Sequence, residues 1–316
     1  MHDDSFSPPS ADDGLPAPGR RAGLVLVPTP IGNLGDVTAR ALAELRQADG
    51  ILCEDTRTTA RLLTALGLAY AALSPLHDHN EDNRIAPVLA QLRAGKRLAL
   101  VSDAGMPLLS DPGYRLVRAA LAEGLTVEAL PGANAATLAL SLSGLPPHPY
   151  LFLGFPPPRA AARRAALAGL RAAERAGLQA TLIWHEAPHR LAEALADMAE
   201  ILGDRPAAVA RELTKRFEEV RRDGLAALAA HYAAEAARGE ITLVVGPAAP
   251  ETTGDTEIDT ALQAAMADGA SLRDAADLVA GRTGRRRREV YARALEMEKE
   301  KDKEKGGGNG PRTPTP

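Results

Sequence analysis

The sequence predicts an α/β protein with two domains, and three observations support this fold class. The chain has 316 residues, which is longer than a single hydrophobic core usually serves. Short apolar runs alternate along the chain with stretches of helical period. Most of these runs are apolar at every position, as expected for strands of a mostly parallel sheet that helices cover on both faces.

The composition narrows the function classes. Apolar residues make up 45% of the chain and charged residues 25%, which is ordinary for a globular protein. The formal net charge of -4 means that any surface for nucleic acid must be a local patch. The single cysteine, Cys53, excludes an internal disulfide, and no Cys/His spacing indicates zinc. We find neither a signal peptide nor an apolar run long enough to span a membrane, and therefore expect a cytoplasmic protein.

The first predicted domain covers residues 23–145 and repeats a strand–helix unit. Each strand is a short apolar run, and each helix follows with its apolar residues on one face. The strands are predicted at 23–29, 50–55, 97–103 and 126–130, and the helices at 36–49, 58–67, 113–124 and 134–144.

The second predicted domain covers residues 146–248 and has the same character. Its strands are predicted at 150–155, 180–186, 207–213 and 240–247, and its helices at 159–176, 189–203 and 224–237. A linker is expected at 249–255, and a small unit of three short helices at 256–298. In the middle helix, Ser271 and Asp274 form a start like a capping box. The polar ends, 1–22 and 299–316, are expected to be disordered.

Four loops rich in Gly, Pro, Thr and Asp follow four strands of the first domain. They read "PTPIGNLGD", "EDTRTT", "SDAGMPLLSDPG" and "LPGANAAT". Ligands of open α/β sheets bind outside the carboxyl ends of the strands, and an acid there can accept hydrogen bonds from ribose hydroxyls. Each loop alone has a structural alternative, because glycines make turns and Asp103 could cap a helix. Asp111, with Pro112 and Gly113, is interpreted as the start of the next helix.

Further candidates lie outside these four loops. "HDHN" at 77–80 resembles a metal pair but has no third ligand at a suitable spacing. "WHEAPHR" and "RELTKR" each leave a strand of the second domain and place charged residues within reach of the same rim. The arginines of the helix at 159–176 and of the run 285–288 form either solvated faces or contacts with phosphates.

The order of these motifs resembles one family. "VPTPIGNLGDVTARAL", "EDTRTTARLL", "HDHNE", "LVSDAGMPLLSDPGYRLV", "LPGANAATLALSLSGLP", "HEAPHR" and "ARELTK" are similar to segments of the RsmI-type small-subunit ribosomal RNA methyltransferases, in the tetrapyrrole (class III) methylase superfamily. The resemblance covers about Gly23 to Pro247. It implies the two-domain tetrapyrrole-methylase fold, a homodimer, and S-adenosyl-L-methionine in the cleft between the domains. It also implies methyl transfer to the ribose 2′-oxygen of a cytidine in the decoding region of 16S rRNA, within the small ribosomal subunit.

The resemblance also implies which loops contact the cofactor. The matching residues are Pro28, Thr29, Pro30, Ser102, Asp103, Ala104, Gly105, Pro107, Pro131, Gly132 and Ala133. A ribose hydroxyl is a poor nucleophile while protonated, so a general base should help. Our preferred catalytic residues are Glu54 and Asp55, with Lys215 a base only if it is neutral. Residues expected near the RNA are Arg57, His77, Glu186, Arg190 and Arg211.

Two departures from the family pattern and two other functions remain open. Met106 stands where the family usually has Thr, and His185 where it often has Tyr. A tetrapyrrole or diphthine methyltransferase would share the cofactor cleft, although "EDTR" and "HDHN" argue against both. A non-catalytic RNA-binding assembly factor would keep the fold without transferring a methyl group.

Overall fold

The computed structural model describes residues 21–248 and 255–306. The expectations for the N-terminal tail up to residue 20, for the linker at 249–254 and for the end from 307 concern residues outside these ranges. Two compact units are present. One contains both sheets, and the other contains Leu170–Gln179 and the described residues from Pro247 onward.

The first sheet has five parallel strands, which confirms the predicted mostly parallel sheet. Its strands are β1 (Gly23–Leu26), β2 (Gly50–Cys53), β3 (Leu73–Pro75), β4 (Arg97–Leu100) and β5 (Val127–Ala129), in the order β3-β2-β4-β1-β5. Its helices are α1 (Ala39–Gln47), α2 (Thr56–Ala65), α3 (Glu81–Arg93), α4 (Tyr114–Ala122) and α5 (Ala135–Ser143). Successive side chains of a strand point to opposite faces, so Val25 and Leu26 enter two separate apolar cores.

Neither β3 nor α3 was predicted from the sequence. Strand β3 has only three residues and ends in Pro75, which reads as a turn signal. Helix α3 contains Pro87 in its interior, where proline normally interrupts a helix. Buried Val88, Leu89 and Leu92 hold it against the sheet, and this packing overrides the local preference.

The second sheet is mixed and also has five strands. They are β6 (Tyr150–Phe152), β7 (Thr181–Glu186), β8 (Pro206–Arg211), β9 (Glu219–Gly224) and β10 (Ile241–Val245), in the order β6-β7-β10-β8-β9. Its helices are α6 (Ala160–Arg175), α7 (Leu191–Leu202) and α8 (Leu225–Ala234). Strand β9, "EVRRDG", was missed because it is a polar edge strand that pairs only with β8. Helix α5 packs its buried Ala139 and Leu140 against Ile183 and Val244 of this sheet.

The other unit contains the three predicted C-terminal helices. They are α9 (Asp255–Ala267), α10 (Leu272–Thr283) and α11 (Arg287–Gly306), around a core that includes Leu262, Val279 and Val290. The Ser271 hydroxyl accepts a hydrogen bond from the Asp274 N–H at 3.2 Å, as the capping pattern predicted. Helix α11 continues eight residues past the predicted end at 298. Glu and Lys are good helix formers, so this charged run extends the helix instead of starting a disordered tail.

Candidate active site

The loops after β1 and β4 are joined by an antiparallel pair of backbone hydrogen bonds. The Thr29 N–H donates to the Gly105 carbonyl at 2.9 Å, and the Gly105 N–H donates to the Thr29 carbonyl at 3.0 Å. The buried Thr29 hydroxyl donates to the Ser102 carbonyl, and the Ser102 hydroxyl donates to the Gly105 carbonyl. Both hydroxyls are thus used inside the protein, and these residues shape the rim rather than offer free side chains.

The loop after β5 is held against the loop after β1. A Cβ on Gly132 would overlap the Pro28 ring, with Cγ at 2.8 Å, so only glycine lets the two backbones approach. Pro28, Thr29 and Pro30 are buried beneath this contact. Gly132 and Ala133 line a shallow cavity of about 560 Å³, with Ile31 in its wall.

The "EDTR" loop after β2 joins the same rim. The Asp55 N–H donates to Oδ1 of Asp103 at 3.3 Å. Asp55 itself caps α2, because its Oδ1 accepts from the Arg57 N–H at 2.7 Å. The Arg57 guanidinium also hydrogen-bonds this carboxylate, and these bonds lower the pKa of Asp55 to about 2. Asp55 is therefore a poor proton acceptor.

A cavity of about 380 Å³ lies between the loops of the two sheets. Asp103, Ala104, Leu109 and Asp111 line one side of it. The other side comes from the second sheet and its loops, and includes Phe155, His185, Glu186, Leu213 and Gly239–Thr242. Its size is within the range of small-molecule sites, and its lining is mostly apolar with a few carboxylates. Both halves of the chain thus contribute residues to this one cavity.

Backbone strain is concentrated on this cavity. In the described part of the chain, the non-glycine residues with positive φ are Leu108, Ser110, Glu212 and Thr214. The first two flank Leu109 and the other two flank Leu213, and both leucines line the cavity. Such conformations cost about 1–3 kcal/mol each and persist where the surroundings enforce them, which is typical of functional sites.

Asp111 was not among the site residues predicted from the sequence, which assigned it with Pro112 and Gly113 to the start of α4. It lines the cavity, and the residue that caps α4 is Gly113 rather than Asp111. Burial raises the pKa of Asp111 to about 7, and three neighbouring carboxylates add to this rise. They belong to Glu54, Asp103 and Asp78. Burial and the charge of Asp103 likewise raise the pKa of Glu54, and burial raises that of Asp103.

Lys215 is held as a cation. Burial lowers its pKa, but the hydrogen bond to Glu212 at 2.9 Å and the contact with Glu240 at 3.2 Å outweigh burial, and the net pKa is raised. A lysine in this state cannot accept a proton near neutral pH. Its stem packs against Gly32 of the first domain, where no side chain fits.

The "HEAPHR" loop forms the opposite wall. The buried Glu186 carboxylate accepts from the Ala187 N–H at 2.8 Å and pairs with Arg190 at 2.6 Å. His185 lies between Phe152 and Phe155, and its Nδ1 is 3.1 Å from the Thr242 hydroxyl. Burial lowers the pKa of His185, so it is a neutral ring in the wall of the cavity. Nothing in the structure explains Met106.

Three residues predicted to contact RNA, Arg57, His77 and Arg211, do not line this cavity. Arg57 is exposed on α2 beside the "EDTR" loop. His77 is half-buried and stands edge-on to His79, with ring centres 6.2 Å apart. Arg211 lines a different cavity, because its neighbour Ala210 faces the active-site cavity and successive strand residues point to opposite faces. Its predicted contact with an RNA phosphate stays a prediction.

The described ranges, 21–248 and 255–306, contain neither a metal-binding cluster nor a membrane-spanning helix. No group of three or more His, Cys, Asp or Glu side chains there is arranged to hold a metal ion. Within the same ranges, no helix has the length and apolar character needed to cross a bilayer.

The family model of the Tetrapyrrole (Corrin/Porphyrin) Methylases matches residues 23–229, and the chain belongs to this family. A diphthine synthase structure superimposes with a TM-score of 0.55 at 16% identity, covering 71% of this chain and 89% of that one. A uroporphyrin-III C-methyltransferase from Thermus thermophilus, complexed with S-adenyl homocysteine, gives a TM-score of 0.50 at 18% identity, covering 71% and 97%. These likenesses concern the fold alone.

Relatives with similar sequences identify the group within this family to which the chain belongs. The chain is 48% identical to the ribosomal RNA small subunit methyltransferase I of Micromonospora olivasterospora over 85% of both chains. It is 44% identical to the protein of that name from Mesorhizobium japonicum, over 89% of this chain and 94% of the relative. The RsmI C-terminal HTH domain matches residues 252–298. The chain therefore belongs to the methyltransferase family whose curated members carry the name ribosomal RNA small subunit methyltransferase I, as the motifs predicted.

Proposed function

We propose that the protein transfers a methyl group from S-adenosyl-L-methionine to the ribose 2′-oxygen of a cytidine in the decoding region of 16S rRNA. The single observation that carries the proposal is the cavity between the two sheets, with Asp103 at a strand end and strained loops on both sides. The names of the relatives support the RNA substrate, and the relative solved with S-adenyl homocysteine supports the cofactor.

The cavity suits S-adenosyl-L-methionine in size and chemistry. Ile31, Leu109 and Leu213 offer apolar surface, and Asp103 offers a carboxylate to the ribose hydroxyls. Ala104 brings backbone groups to the same wall. When bound, the cofactor supplies a methyl group made electrophilic by a sulfonium. The tightly packed loops, from Pro28 to Gly132 and around Gly105, hold the site in shape.

We assign proton removal from the 2′-hydroxyl to Asp111. A pKa of about 7 lets it accept a proton near neutral pH, and it faces the cavity directly. Glu54 is the second candidate, since its pKa is also raised. Asp55 acts instead as the cap of α2. Lys215, as a cation beside the cavity, is suited to an RNA phosphate.

RNA contacts are proposed on two surfaces. Arg57 pairs with Asp55, whose N–H bonds to Asp103, and Arg190 pairs with Glu186 in the wall of the cavity. In the C-terminal unit, Arg286 and Arg288 are exposed at the start of α11, which suits contact with phosphates in a helix-turn-helix domain. We further propose that the protein acts as a homodimer, which size-exclusion chromatography with light scattering would test, and in the compartment that holds the ribosomes.

The function is tested by label transfer. The protein is incubated with methyl-labelled S-adenosyl-L-methionine and either 30S subunits or naked 16S rRNA from a strain lacking the modification. Label in a cytidine ribose supports the proposal, and the comparison of the two substrates identifies the preferred one. Label in a tetrapyrrole or in a diphthine precursor, offered separately, would replace it with another methylase activity. Absence of transfer to any of them would favour an assembly factor without catalysis.

A further inference from the structure

A second polar cavity, of about 520 Å³, lies on the other face of the second sheet. Its walls come from β8, β9, α8 and the segment before β10. The residues that matter for its chemistry are Arg211, Glu219, Arg221, His231, Tyr232 and Arg238. Arg238 and Gly239 are neighbours in the chain, yet the first lines this cavity and the second lines the active-site cavity. The two cavities therefore open near the same end of the sheet.

Glu219 orients Arg211 and Arg221 through hydrogen bonds that use only some of their N–H donors. Arg211 donates Nε and Nη2 to Oε2 of Glu219, at 3.2 and 2.9 Å, and Arg221 donates Nη2 to Oε1 at 3.1 Å. A guanidinium has five N–H donors, so each arginine keeps several for another acceptor. Arg211 is mostly buried and Arg221 is 42% exposed, so the pair reaches from the cavity floor to its mouth.

Tyr232 presents a buried O–H donor to this cavity. The residue is 6% exposed, and the Arg221 guanidinium lies beside its oxygen and lowers the pKa of the hydroxyl. Arginine can only donate, so the O–H itself has no acceptor within the described part of the chain. Burial and the charge of Glu219 outweigh the effect of Arg221 and keep the hydroxyl protonated. A buried O–H without an acceptor costs free energy, which a bound acceptor would recover.

We propose that this cavity binds a phosphate group of the RNA backbone. Three arginines face two carboxylates, Glu219 and Glu235, so the cavity has a net positive charge that suits a singly charged phosphodiester. The Tyr232 hydroxyl and the outer edges of Arg211 and Arg221 offer donors to its oxygens. Because Arg238 is exposed and adjoins the active-site segment, an RNA strand is favoured over a small free phosphate. The proposal rests on the proposed function in one respect, that RNA is the ligand.

The test uses the full-length protein with an RNA fragment of the decoding region, measuring affinity by fluorescence anisotropy over a series of salt concentrations. Tyr232→Phe removes only the hydroxyl, so we expect about a 10-fold weaker affinity with an unchanged salt slope. Arg238→Gln should reduce the slope by about 1. Arg118→Gln, an exposed arginine on α4, is the matched control and should change neither. Thermal unfolding verifies that each variant is folded.

Two outcomes overturn the proposal. Equal affinities and slopes in the wild type, Tyr232→Phe and Arg238→Gln would show that RNA does not use this cavity. Inorganic phosphate that binds the wild type but not the variants, while RNA affinity is unchanged, would assign the cavity to a small phosphate. Label transfer is recorded in parallel, so a wild-type protein that binds RNA without methylating it refutes the proposed function and leaves this test valid.

Discussion

The Asn33 N–H donates a hydrogen bond to the Thr214 hydroxyl at 3.1 Å, across 181 positions of sequence. The two residues belong to the "PTPIGN" loop of the first sheet and the "RELTKR" loop of the second. Beside them, Gly32 lies against Thr214 and Lys215 without room for a side chain. This contact fixes the distance between the walls of the candidate active site.

Gly32→Ala should disturb this contact. The new Cβ would lie 2.8 Å from the Thr214 hydroxyl and 3.1 Å from the Leu213 carbonyl, so the loops must separate. We expect weaker binding of S-adenosylhomocysteine by calorimetry, by about 10-fold, because Leu213 lines the cavity. Gly169→Ala on α6 meets no atom within 4 Å and serves as the control. Equal affinity in both variants would mean that the contact does not shape the site.

Asp103→Asn should weaken cofactor binding. The amide keeps the size of the carboxylate but loses the charge that favours two ribose hydroxyl donors, so we expect a loss of about 10-fold or more. Calorimetry with S-adenosylhomocysteine measures the loss, and Asp82→Asn, at an exposed position of α3, is the control. An unchanged affinity would mean that Asp103 does not bind the cofactor and serves only to accept the hydrogen bond from the Asp55 N–H.

The methylation rate should rise with pH through about 7 and then level off, because Asp111 accepts a proton only after losing its own. Asp111→Asn should abolish the rise and lower the single-turnover rate about 100-fold or more. Glu54→Gln should keep the inflection but move it to lower pH, because the Glu54 carboxylate contributes to the raised pKa of Asp111. If Glu54→Gln abolishes the rise and Asp111→Asn retains it, Glu54 is the base.

The raised pKa of Asp111 also makes the stability of the fold depend on pH. This pKa is higher in the folded state, so ionisation opposes folding, and the penalty grows from about pH 4 to about pH 7 and is constant above. Asp111→Asn should therefore raise the thermal midpoint at pH 8 and have little effect near pH 4. Scanning calorimetry at the two pH values tests this, and a midpoint lowered at pH 8 contradicts it.

The C-terminal unit should contribute to RNA affinity through charge. Replacing Arg286 and Arg288 together by Gln should reduce the salt slope of RNA binding by up to about 2, while cofactor binding stays unchanged. The Arg118→Gln variant again serves as the control. A slope equal to that of the wild type would favour a packing or assembly role for this unit.

Local sequence patterns predict much of the fold, but they predict only part of the candidate active site. The apolar runs and glycine-rich loops predict the strands and the rim, because both signals are contiguous in the chain. The role of Asp111 depends on burial beside Glu54 and Asp103, which come from other loops, and no local pattern reports that. The face of Arg211 depends on strand register, and the charge of Lys215 depends on Glu240 from a distant segment.

The strained residues Leu108, Ser110, Glu212 and Thr214 imply a trade-off between durability and catalysis. Each left-handed residue stores free energy that glycine would release, so Ser110→Gly, at an exposed position, is expected to be tolerated by the fold or even to strengthen it. Such a change would loosen the wall that the strain keeps in place. Variants selected only for heat resistance should therefore accumulate in these two loops and lose methylation as they do so.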